Sequence, residues 1–111
     1  VIEAREQLLT LWSLIHEDLP RPWTIDQMAT SVGLCKTRLH RLCVKLHNTT
    51  PMQMVTTMRM ERAAELLAFT NYTLAMIAGE TGYDNPFAFS KAFKRYAGIS
   101  PKEYRQKQAA T

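Results

Sequence analysis

The chain has 111 residues, a net charge of +4, 46% apolar and 22% charged residues, and two cysteines. That length suits one compact unit, or two closely joined subdomains of about 45 residues each. No apolar run approaches the roughly 18 residues needed to cross a bilayer and no signal peptide is visible, so no membrane partner and a cytoplasmic location are expected.

Residues 1–23 read as an N-terminal amphipathic helix packed on the unit that follows. Ala4, Leu8, Leu11, Trp12 and Ile15 make one stripe over residues 3–18, and Pro20 and Pro22 end it. Glu3, Glu6, Glu17 and Asp18 against Arg5 and Arg21 leave this segment at −2, so the rest of the chain carries +6.

The first unit is expected over residues 24–50. Thr24 and Gln27 have the spacing of a capping box, and Ile25, Met28, Ala29 and Val32 form a buried stripe behind them. Gly33 supplies the positive φ of a tight helix-to-helix turn. Cys35 then stands where the next helix needs a cap, a poor residue for that task. On the helix of about 36–47, Leu39, Leu42, Cys43 and Leu46 point inward. Thr37 and Arg41 stand opposite, flanked by Arg38, His40, Val44 and Lys45, and Asn48 is a left-handed C-cap.

Pro51 opens a linker helix over residues 51–68, with Val55, Met58, Ala63, Leu66 and Leu67 at packing positions. Its length, about 25 Å at 1.5 Å per residue, suits a spacer between two reading heads about one DNA turn (~34 Å) apart.

The second unit, 69–106, repeats the first at an offset of about 50 residues and includes a C-terminal helix. Leu74, Ile77 and Ala78 face inward, Gly82 is the turn, and Asp84 or Asn85 caps the next helix. Pro86 fits its first position, where a missing N–H costs nothing. Phe89, Ala92, Phe93 and Tyr96 form the core stripe, while Phe87 and Lys91 stand opposite, flanked by Ser90, Lys94 and Arg95. Gly98 ends the helix, Ser100 and Pro101 start a short one through Tyr104, and residues 107–111 read as a tail. No strand pattern competes. The fold is expected to be all-α: two helix-turn-helix subdomains joined by a long linker helix, about seven helices in all.

The chemistry follows the charges. Lys36, Arg38, Arg41 and Lys45 share one helix with no acid, and Lys91, Lys94 and Arg95 share its counterpart, also with no acid. Positive potential focused on two equivalent helices suits double-stranded DNA as the partner. An arginine such as Arg41 can donate two parallel bonds to guanine O6 and N7, while Lys91 is a point charge without that fork. Lys36, Lys45, Lys94 and Arg95 are placed for phosphate, and Phe87 can pack on a thymine methyl group. The acidic first helix is then expected to face away from DNA.

Other chemistry finds little support. His40, Cys43 and His47 fall near one another on a helical wheel, but Cys43 belongs to the core stripe and no second cluster completes a metal site. Cys35 and Cys43, eight residues apart, lie about 12 Å apart along one helix and cannot pair. There is no paired-carboxylate site, nucleophile elbow or glycine-rich phosphate loop, so neither an enzyme nor a cofactor is expected.

The ordered series Ile77-Ala78, Gly82-Tyr83, Phe89-Ser90-Lys91-Ala92-Phe93-Lys94-Arg95, Gly98-Ile99-Ser100-Pro101 and Tyr104-Arg105 resembles the DNA-binding domain of AraC/XylS-family bacterial transcription regulators. The resemblance covers about residues 24–106. It implies that the second helix of each unit lies in a major groove. The base-reading positions it implies are Thr37, Arg38, His40 and Arg41 in the first unit, and Pro86, Phe87, Ser90 and Lys91 in the second. It also implies a regulator, expected to be an activator, with RNA polymerase and a separate sensing or dimerising domain as partners. The chain opens on Val1 rather than methionine, in keeping with a fragment of a longer regulator. Four positions depart from the family pattern: Cys43 stands for an aromatic, Asn48 for glycine, Met54 where the second unit has Tyr104, and Phe87 is apolar at a position often polar in the family. The competing expectation is a helical protein-interaction module that has lost sequence-specific DNA binding and makes contact through Phe87 and Val44.

Overall fold

The computed structural model describes residues 3–110, and among these there are seven helices and no strand. They are α1 (Ala4–Glu17), α2 (Ile25–Ser31), α3 (Lys36–His47), α4 (Pro51–Phe69), α5 (Leu74–Glu80), α6 (Pro86–Ala97) and α7 (Pro101–Ala109). Two compact units result, Val1–Thr56 and Thr57–Thr111, and the division falls inside α4.

In the first unit α1 and α2 both pack on α3. Leu8, Leu11 and Ile15 of α1, Met28 and Ala29 of α2, Leu39 and Cys43 of α3 and Val55 of α4 are buried. The indole of Trp23, also buried, donates to the Asp18 carbonyl at 2.8 Å and carries the Arg21 guanidinium 5.0 Å above it. Together with the backbone bonds from Arg21 N–H to the Asp18 carbonyl and from Trp23 N–H to the Arg21 carbonyl, this closes the Pro20–Pro22 bend. Trp12 is half-buried and donates from Nε1 to His47 Nε2 at 3.1 Å, tying α1 to the last turn of α3.

The second unit is built around Met60, Ala63, Leu66, Leu67, Ile77, Ala78, Phe89 and Phe93, all buried. Phe93 meets Phe89 at 5.8 Å and Tyr104 at 5.4 Å between ring centroids, so aromatic contacts join α6 to itself and to α7. Thr81 is buried as well, and its hydroxyl donates to the Ile77 carbonyl at 2.7 Å. That bond satisfies a polar group that would otherwise be costly in the core.

Three features differ from the sequence expectations. Leu46 and Tyr96 were expected to point inward but are 37% and 47% exposed. Both stand in the last turn of their helices; Leu39 and Cys43 fill the seam in α3, and the Tyr96 ring only tilts against Phe93 at 6.3 Å. Helix α7 runs past Tyr104 to Ala109, through residues expected to form a tail. Arg105 ties this helix to α4. Its guanidinium donates to the carbonyls of Leu67 (3.0 Å), Thr70 (3.2 Å) and Leu66 (3.5 Å), so α7 is anchored by capping the end of α4.

Candidate nucleic-acid interface

Helices α3 and α6 are each preceded by the same hydrogen-bonded turn. In the first unit the Gly33 N–H donates to the Thr30 carbonyl at 3.2 Å and the Leu34 N–H to the Ala29 carbonyl at 2.9 Å. In the second, the Gly82 N–H donates to the Gly79 carbonyl at 3.4 Å and the Tyr83 N–H to the Ala78 carbonyl at 2.8 Å. Both are Schellman endings, which need a left-handed residue at the bend. Gly33 and Gly82 supply it at φ 71° and 86°. At Gly82 a side chain would also crowd the Arg59 guanidinium, which lies 3.1 Å from the position of an added Cβ. Burial of Arg59 pulls its pKa below the usual arginine value, while neighbouring Tyr83 acts the other way.

The two helices start differently. Helix α3 follows its glycine with Leu34 and Cys35, and the Cys35 side chain makes no cap hydrogen bond. Helix α6 has one residue more in its turn, and Asn85 Oδ1 accepts from the Ala88 N–H at 2.8 Å, with Pro86 at the first position. Of the two caps open in the sequence, Asn85 is the one used. The entering helices α2 and α5 are capped by Thr24 and Thr73, and the Thr24–Gln27 capping box is complete at 3.2 Å in each direction. Asn48 and Gly98 end α3 and α6 in the left-handed conformation at φ 55° and 83°.

These turns aim each helix so that its apolar seam is buried and its basic side is not. On α3, Lys36, Thr37, Arg38, His40, Arg41 and Lys45 are all exposed. On α6, Phe87, Lys91, Lys94 and Arg95 are exposed, while Pro86 and Ser90 are half-buried. Among the described residues, one ion pair touches either helix: Lys36 Nζ lies 3.4 Å from Asp26 Oδ1. Asp26 enters from α2, and nothing in its spacing along the sequence announces a contact across the turn. The other six cations of these helices have no acidic partner among the described residues.

The three side chains weighed for a metal separate. Cys43 is buried, and burial pushes its thiol up to about 11. His47 accepts the Trp12 indole bond, and His40 is exposed. No group of three His, Cys, Asp or Glu side chains gathers among the described residues.

Comparison with known proteins agrees with this architecture. The Helix-turn-helix domain family model matches residues 28–107. The raffinose operon transcriptional regulatory protein of Pediococcus pentosaceus is 34% identical over 105 residues, covering 95% of this chain and 38% of that protein. The lactose operon transcription activator of Staphylococcus xylosus is 34% identical over 91 residues, covering 82% of this chain and 33% of that protein. The chain thus spans about a third of the length of such relatives. A crystal structure of an AraC-type regulator from Chromobacterium violaceum superposes with a TM-score of 0.88 at 26% identity, covering 96% of this chain and 95% of that one. The DNA-binding domain of the global transcriptional factor AdpA, solved with a target DNA, gives 0.86 at 26% identity and covers 94% of each chain. With its repeated glycine turns, its two acid-free helices and a family match over most of its length, the chain belongs to the AraC-type helix-turn-helix family of DNA-binding transcription regulators.

Proposed function

We propose that this chain is the sequence-specific, double-stranded DNA reader of a bacterial regulator that acts as an activator, with α3 and α6 in successive major grooves. The observation that carries this reading is the repetition. Two helices, each set by the same glycine turn, expose cations at equivalent positions and carry no acid of their own.

Arg41 and Lys91 sit at the middle of these faces, where a side chain meets base edges. Thr37, Arg38 and His40 in α3, and Pro86, Phe87 and Ser90 in α6, complete the base-reading set. Lys36, Lys45, Lys94 and Arg95 hold phosphate, which sets register and strength but carries no sequence information. RNA polymerase and a sensing or dimerising domain are the protein partners of the whole regulator, which works in the cytoplasm, and α1 turns its acidic side away from DNA.

Selection of binding sites from random duplex DNA at moderate salt tests the proposal. Two enriched blocks about one helical turn apart are expected. No enrichment, with binding that persists only at low salt, would instead favour a helical protein-interaction module.

A further inference from the structure

We infer that the two units read different base chemistry: α6 reads thymine through the exposed Phe87 ring, whereas α3 reads hydrogen-bonding edges such as guanine. This rests on the DNA-reading assignment above and adds the class of base to it.

The ring is 87% exposed, while Phe89 and Phe93 of the same helix are wholly buried. Two residues turn an α-helix by about 200°, so Phe87 cannot join that core without unwinding α6. Its position is nevertheless well defined. The Asn85 cap and Pro86 pin the first turn on either side of its backbone. One turn further along stand Ser90 and Lys91, within reach of whatever the ring touches.

A phenyl ring carries no hydrogen-bond donor or acceptor group to match the polar base edges. In the major groove the apolar group is the thymine C5-methyl, which sets thymine apart from cytosine. A phosphate offers the ring nothing. The charge around it also selects the partner: Lys91, Lys94 and Arg95 share the helix with no acid. A polyanion with an apolar spot fits that combination better than an apolar protein face.

At the equivalent places in α3 stand Thr37, His40 and Arg41, all exposed and all polar. Arg41 has the planar fork that suits guanine O6 and N7. The expected operator is therefore chemically lopsided, with guanine under α3 and thymine under α6.

The test resynthesises the selected duplex with uracil for thymine, one block at a time, which removes the 5-methyl group alone. The wild-type chain should bind about fourfold more weakly when uracil replaces the critical thymine of the α6 block. The exposed Phe87→Ala variant should bind both duplexes equally, and Phe87→Leu should regain part of the discrimination. A selected α6 block without thymine would overturn the inference. So would an equal uracil effect in wild type and Phe87→Ala, or a Phe87→Ala variant that binds both duplexes as wild type does, which would place the ring on a protein partner. Arg41→Ala and Lys91→Ala on the same duplex separate the two levels. If they weaken binding while uracil does nothing, DNA reading stands and the thymine assignment falls. If no sequence is enriched and neither variant alters binding, both fall.

Discussion

Asp26 pairs with Lys36 across the Gly33 turn at 3.4 Å. Both members of its pair with Lys36 are well exposed, so the pair is worth about 0–1 kcal/mol to the fold. With Lys36 in its proposed phosphate role, Asp26 would compete with DNA for the same ammonium. Asp26→Asn should tighten binding to cognate and random duplexes alike and steepen the salt dependence by about one phosphate contact. Unchanged affinity and slope would remove Lys36 from the phosphate set. Arg41 should behave in the opposite sense. Arg41→Ala is expected to cost about 1–3 kcal/mol on the cognate duplex and much less on random DNA, measured by fluorescence anisotropy. Equal losses on both would make Arg41 a phosphate contact. The exposure of Arg41 was legible from helical periodicity. The Asp26 contact was not, because it depends on how α2 and α3 meet across the Gly33 turn.

At the scale of elements, the turn and cap chemistry sets how firmly each reading helix is held. An alanine at Gly33 meets open space but must hold a left-handed φ, a cost of about 1–2 kcal/mol. At Gly82 the same strain is joined by displacement of the Arg59 guanidinium, so Gly82→Ala should lower the urea midpoint of its unit more than Gly33→Ala lowers that of its own. Equal losses would mean that Arg59 moves aside freely. Helix α3 offers the reverse experiment. Cys35 has the extended backbone of an N-cap, φ −86° and ψ 161°, but no side-chain bond. Cys35→Ser should therefore stabilise the first unit by about 0.5–1 kcal/mol. Tryptophan fluorescence would report it, because Trp12 and Trp23 both lie in that unit. Proline, glycine and Thr-x-x-Gln signals made most helix starts and stops readable. The tie between α7 and α4 was not, since it depends on Arg105 reaching carbonyls 35 to 39 residues away.

Across the whole molecule, the decisive quantity is where the charge sits. A net +4 is modest, yet residues 1–23 are acidic and α3 and α6 carry no acid at all. Affinity should fall steeply with salt, each phosphate contact adding about 0.9 to the log–log slope. Lys94→Ala should lower that slope by about 1 and weaken cognate and random binding alike. An unchanged slope would take Lys94 off the backbone.

The all-α class, the duplication, the glycine turns and the basic faces were determined by sequence alone. Each is a local property, carried by residue spacing, by the φ that glycine and asparagine tolerate, and by side-chain charge. Tertiary structure alone decided that Leu46 and Tyr96 stay partly in water, that Asp26 reaches Lys36, that Arg59 covers Gly82, and that Arg105 closes α4. Those contacts join residues on different helices or at helix ends, where a periodic pattern shows which side faces inward but not how far the neighbouring helix extends to cover it.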